Sequence, residues 1–154
     1  MRLLKLFFIS VAFFFLLLTG IGLLLPAKVR VSRAVDVPNG KKIFSFLADT
    51  GNWKTWHPLF AYAPGRPQIV FTHRTDTSMI GTVYFNGQRF SNAFILHTYP
   101  HTRTQTLQWY QDLHSGPLPW QRLRSLTYEG TFGAMMEQGL KRLDSVAQSQ
   151  TVLP

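Results

Sequence analysis

From Leu6 to Leu25 the chain runs for twenty residues without a charge, broken only by Ser10, Thr19, Gly20 and Gly22. At about 1.5 Å per residue a helix of that length reaches roughly 30 Å, the thickness of a bilayer's hydrocarbon core. Residues 1–28 are therefore expected to form a single membrane anchor, 29–147 one folded domain and 148–154 a tail. The rival reading is a cleaved signal peptide: Arg2 and Lys5 as its charged start, an apolar core ending near Leu18, and Gly20-Ile21-Gly22 as a small-x-small cleavage site. Leu23, Leu24 and Leu25 carry the apolar run past that site, which favours a retained anchor. Basic residues flank both ends, Arg2 and Lys5 on one side and Lys28, Arg30 and Arg33 on the other, so the positive-inside rule hardly discriminates. An N-terminal anchor with no second span points to a domain facing outwards, in a periplasm if the source is a diderm bacterium.

The net charge of +9 has to be divided before it is used. Five of the sixteen basic residues flank the apolar run, and from Ala34 onward eleven face seven acids, a net +4 scattered along the domain. A phosphate-backbone footprint needs a clustered basic stripe, so nucleic acid is not an expected partner. The absence of cysteine excludes disulfides and thiolate chemistry and leaves the redox compartment unreadable.

After the anchor, Val29, Val31, Ala34 or Val35, and Val37 alternate with Arg30, Ser32, Arg33 and Asp36, the pattern of a half-buried strand. Pro38, Asn39 and Gly40 end it. Ile43, Phe44, Phe46, Leu47 and Ala48 then bury one side of a short helix that Asp49, Thr50 and Gly51 close. Asn52-Trp53-Lys54-Thr55-Trp56-His57-Pro58 follows, with two of the four tryptophans three residues apart, on one face if helical. Pro58 disfavours helix at the residue before it, so His57 should end a short helix and the two tryptophans should form a flap over something hydrophobic. Ala63 to Pro67 reads as a loop.

The middle of the chain reads as β. Asn86-Gly87 between two strand-like runs is a strong hairpin signal, because both residues tolerate positive φ. Pairing Phe85 with Gln88 sets Val83 opposite Phe90 and Met79 opposite Phe94, on a face that also holds Leu96. Gln68 to Arg74 precedes this hairpin as a strand. Thr104 to Leu113 follows it with Leu107, Trp109 and Leu113 on one side. Beyond Pro119 the period becomes helical: Leu123, Leu126, Phe132, Met135, Met136, Leu140, Leu143 and Val146 recur at three- and four-residue steps. Gly130, Gly133 and Gly139 imply that this helix bends or packs closely on the sheet.

The strand Val29–Val37, Ile43-Phe44, Asn52-Trp53 with Trp56 and Pro58, and a closing Phe132–Leu143 segment together resemble the helix-grip (SRPBCC) superfamily. That group includes START lipid-transfer domains, the birch-pollen allergen and bacterial polyketide cyclase/dehydrase-type proteins, some with one N-terminal membrane helix. The resemblance covers Leu6 to Leu143 and implies an α+β fold: a curved antiparallel sheet around a long C-terminal helix, with a hydrophobic cavity between them. Five strands stand where the family has seven, which leaves room for a reduced or shallow cavity.

The residues offer little chemistry of their own. His57, His73, His97, His101 and His114 show no metal-ligand spacing, and no two acids are placed as an acid/base pair. No metal and no cofactor is expected. His57 is the catalytic candidate, as a general acid or base at the flap. Its bland reading is a histidine stacked on Trp53 or Trp56. Trp53, Trp56, His57, Phe90, Phe94, Trp109, Met135 and Met136 are the candidate ligand-binding set, although these side chains, with Trp120, also suit a plain core. Three functions remain: a membrane-anchored module binding a lipid or other hydrophobic small molecule, a cyclase- or dehydratase-type enzyme using the same cavity, or an envelope interaction protein whose pocket is self-filled.

Overall fold

The computed structural model describes residues 2–37, 40–62, 65, 67–100, 102 and 104–149. Helix α1 (Arg2–Leu24) is the apolar run, and three residues separate it from β1 (Lys28–Val37). Helix α2 (Gly40–Ala48) follows, then a 3-10 turn (Thr50–Asn52) that Asp49 caps by accepting the Gly51 N–H at 3.0 Å. Short helices α3 (Trp53–Trp56) and α4 (Pro58–Tyr62) meet at His57, whose ψ of 116° is extended, as a residue before proline prefers. Strands β2 (Gln68–Arg74), β3 (Ser78–Phe85), β4 (Gln88–Thr98) and β5 (Gln105–His114) complete a five-stranded antiparallel sheet in the order β1-β5-β4-β3-β2. Most of the expected loop at 63–67, the break at Pro38 and Asn39, and His101 lie outside the described residues.

Asn86 and Gly87 both take positive φ, 49° and 73°, which makes the two-residue β3–β4 turn the kind that matches strand twist. The turn fixes the expected register: Phe85 faces Gln88, Val83 faces Phe90 and Met79 faces Phe94. The sheet curves around the C-terminal helix in the helix-grip arrangement. Its inner face carries Val31 and Val37 of β1, Leu107, Trp109 and Leu113 of β5, and Phe94 and Leu96 of β4, all buried.

Arg33 departs from the expected pattern. It lies opposite Trp109, and strict alternation places it on the inner face with Val31 and Val35 while exposed Ala34 points outward. Its charge is met there by Glu129 at 2.7 Å and by the Ser32 carbonyl at 2.8 Å. Polarity alone put Arg33 outside; strand geometry and an acid on the covering helix bring it in.

The C-terminal helical stretch is not continuous. Helix α5 (Pro119–Arg124) passes through a 3-10 turn (Ser125–Thr127) into α6 (Tyr128–Ser149), which crosses the inner face of the sheet. Ser125 Oγ donates to the Arg122 carbonyl at 2.6 Å and Thr127 Oγ1 to that of Arg124 at 2.8 Å, local bonds that compete with regular helix. The interruption rotates Leu126 out of the apolar stripe, and it is exposed, as is Trp120. Helix α6 also reaches Ser149, two residues into the segment read as a tail. Two of its glycines mark close approach. A Cβ on Gly139 would stand 3.0 Å from the Trp109 ring and 3.1 Å from Pro58, and one on Gly133 would run into the Arg33 guanidinium.

Candidate functional site

The inner face of the β4–β5 ladder is built of rungs. From the end where β1 begins, Phe90 and Leu113 stand just ahead of the pair Asn92 and Gln111, which is followed by Phe94 and Trp109, then Leu96 and Leu107. Each rung is two residues along the strand, so all the side chains point the same way. The last two rungs carry the core. Helix α3 lays Trp53 and Trp56 on Phe94 at ring distances of 5.7 and 6.1 Å, and Trp56 also meets Trp109 at 5.8 Å. The Trp53 indole N–H donates to the Leu47 carbonyl at 2.8 Å, tying the flap to the end of α2.

His57 stands inside this cluster. Its ring stacks on Trp53 at 5.2 Å with an 11° interplanar angle, and Trp109 and Phe60 close two further sides. Nδ1 accepts the Leu59 backbone N–H at 3.2 Å, which leaves Nε2 buried without a partner. Burial disfavours the imidazolium and pushes the pKa down to about 3. At neutral pH the ring is uncharged and faced by aromatic carbon.

Of the candidate ligand-binding set, Trp53, Trp56, His57, Phe94, Trp109 and Met136 are fully buried and packed together. Met135 is half-buried beside them. Phe90 belongs elsewhere: it lines an open groove of about 410 Å³ at the other end of the ladder. Phe90, Leu113, Tyr128 and Phe132 supply its apolar surface, with Phe132 6.1 Å from Phe90 and 5.6 Å from Tyr128. Arg89, His114 and Arg124 line it as well, and among the described residues its lining holds no carboxylate. From Trp109, which faces Arg33, to the groove end, where Lys28 faces His114, is five residues, about 17 Å at the usual strand rise.

Asn92 and Gln111 form the polar rung between groove and core. Both are 1% exposed. Asn92 Oδ1 accepts the Trp109 indole N–H at 3.0 Å, which orients the amide, while Asn92 Nδ2 and Gln111 Oε1 have no protein partner. A free donor and a free acceptor thus face each other's strand directly behind the groove. The sequence reading had no signal for them beyond their place in the alternation between Phe90 and Phe94, and between Trp109 and Leu113.

The groove lies at the end of the domain that α1 joins. Helix α5 packs on the last turn of α1, where Gly22 is the helix's buried residue; a Cβ there would come within 2.6 Å of the Pro119 carbonyl. Arg122 Nη1 donates to the Leu23 carbonyl at 3.2 Å, supplying a cation and a partner at a helix C-terminus. Ser115 adds bonds to the carbonyls of Pro26 and Ala27. On the outer face, His97 Nε2 lies 2.9 Å from Gln108 Oε1, and no metal-binding cluster of His, Asp or Glu occurs among the described residues.

Sheet, covering helix and groove together give the chain a helix-grip α+β fold. Among solved structures, a START superfamily protein from Mycobacterium smegmatis is similar over 79% of this chain and 98% of its own, with 16% identity and a TM-score of 0.54. The di-domain ARO/CYC StfQ from the steffimycin biosynthetic pathway matches 82% of this chain with 9% identity and a TM-score of 0.61. DynU16, from the dynemicin biosynthetic locus, matches 79% with 12% identity and a TM-score of 0.56. The chain spans about half the length of these last two, 53% and 48%. No family model and no curated protein matches the chain. At such identities the likeness is one of fold.

Proposed function

We propose that the protein is a membrane-anchored binding module that holds a lipid or other hydrophobic small molecule in the groove of Phe90, Leu113, Tyr128 and Phe132. The observation that carries this reading is an apolar groove of about 410 Å³ at the end of the sheet where α1 joins. That volume is within the usual range for small-molecule sites, roughly 300–1,000 Å³. Helix α1 is long and apolar enough to cross a bilayer, and 6% of its most apolar window is buried by the rest of the protein. Gly22, a cleavage-site residue in the signal-peptide reading, serves here as the seat of Pro119, which supports a retained anchor. Arg89 and Arg124 at the groove suit an amphiphile with an anionic head group. The position of His57, sealed in aromatic core against Trp109, which lies four residues along β5 from the groove-lining Leu113, favours a carrier over a cyclase or dehydratase.

The test is native mass spectrometry of the full chain released from nanodiscs of phosphatidylcholine and phosphatidylglycerol, beside a Phe132→Glu variant that puts a charge into the groove. The wild type should retain an apolar adduct and bind an apolar fluorescent dye, and the variant should lose both. Identical bare masses and identical dye binding would end the proposal.

A further inference from the structure

Helix α5 and the turn after it expose large apolar side chains beside the α1 junction. Trp120 is 57% exposed, Leu126 64% and Leu118 40%, all within nine residues. Clustered exposed apolar groups of this kind mark an interaction surface, and the other three tryptophans, Trp53, Trp56 and Trp109, are 0% exposed. The segment is also fixed in place. Pro119 sits on Gly22, and Arg122 reaches Leu23 at the end of α1, so α5 stands at the level where the apolar run stops. Arg124, exposed in the same segment, adds positive charge.

We infer that α5 and the 3-10 turn lie in the membrane interface, with Leu118, Trp120 and Leu126 among the lipid head groups and the groove held open to the bilayer. This rests on the anchor reading above. An indole is at home at the boundary between hydrocarbon and head group, and short apolar stretches bordered by arginine lie in the interface rather than across the bilayer. Arg124, Thr127 and Tyr128 line the groove and directly follow or belong to this segment, so the same contact that docks the segment sets the groove mouth against lipid.

Trp120 makes the inference measurable, because the other three tryptophans are buried. The full chain and a Trp120→Phe variant are each reconstituted into nanodiscs of phosphatidylcholine and phosphatidylglycerol carrying bromine at the shallow 6,7 acyl positions. The expected result is emission loss in the wild type that is absent from Trp120→Phe, together with protection of Trp120 from aqueous acrylamide. If the protein enters the discs but Trp120 is quenched by acrylamide and not by bromolipid, the segment faces water and the inference fails while the anchor stands. Protection from both quenchers assigns the patch to a second copy of the chain and also overturns it. Failure of the full chain to float with vesicles would sink the anchor reading and this inference with it.

Discussion

His57 gives the protein a built-in sensitivity to acid whose size follows from its surroundings. The unfolded chain titrates this ring near 6.5, and the folded chain near 3 because the aromatic cluster excludes water from it. Since the folded pKa is the lower one, the unfolded state takes up the proton first as pH falls. Stability from this source is intact above about 6.5, falls between 6.5 and 3, and is flat below. At about 1.4 kcal/mol per unit the whole interval is worth about 5 kcal/mol, and the step from pH 6.5 to 5 about 2 kcal/mol. That second figure is a large part of the stability of an ordinary domain. A His57→Phe variant keeps an aromatic ring against Trp53 and removes the titration. The assay is urea unfolding of the full chain in detergent, followed by tryptophan fluorescence, at pH 7.5, 6.5 and 5. The wild type should lose about 2 kcal/mol more than His57→Phe between pH 6.5 and 5. Parallel pH slopes for the two proteins would mean that His57 is not sealed from water, and would refute the reasoning.

Three further outcomes test the packing. Gly130→Ala has open space around the new methyl and should stabilise by about 0.5–1 kcal/mol, whereas Gly139→Ala drives a methyl against the Trp109 ring and Pro58 and should lower the melting temperature. Trp109→Phe leaves the Asn92 carbonyl oxygen without its donor and opens space in the core, which should cost about 2 kcal/mol or more in chemical denaturation. Gly22→Leu cannot seat Pro119, so α5 should separate from α1 and tryptic cleavage after Arg122 or Arg124 should accelerate without a change in the domain's near-ultraviolet circular dichroism.

Much of the fold was legible because local rules and the global arrangement agree. The turn Asn86-Gly87 dictated one register, alternation supplied the strands, and Pro58 ended α3 where a residue preceding proline must be extended. The site was less legible, and for a physical reason. Apolarity is the same signal whether a ring faces another ring or an empty groove, so Trp53 and Trp56 marked a hydrophobic position without revealing that Phe94, His57 and Trp109 already fill it. Phe90 and Phe94 are equivalent in sequence terms and differ because α3 covers one rung of the ladder and not the other. Leu126 shows the complementary limit. Its spacing fitted the helical stripe, but the hydroxyls of Ser125 and Thr127 turn the backbone locally and change the direction in which it points.

The junction between α1 and β1 has a mechanical consequence. Leu25, Pro26 and Ala27 span at most about 10 Å, and Ser115 and Arg122 fasten even that short piece to the domain. There is no tether here that could swing. On the proposed reading the domain cannot ferry cargo through an aqueous gap as a body on a leash would. It can travel only as fast and as far as its helix drifts within the bilayer, and any acceptor for what it holds has to come to it.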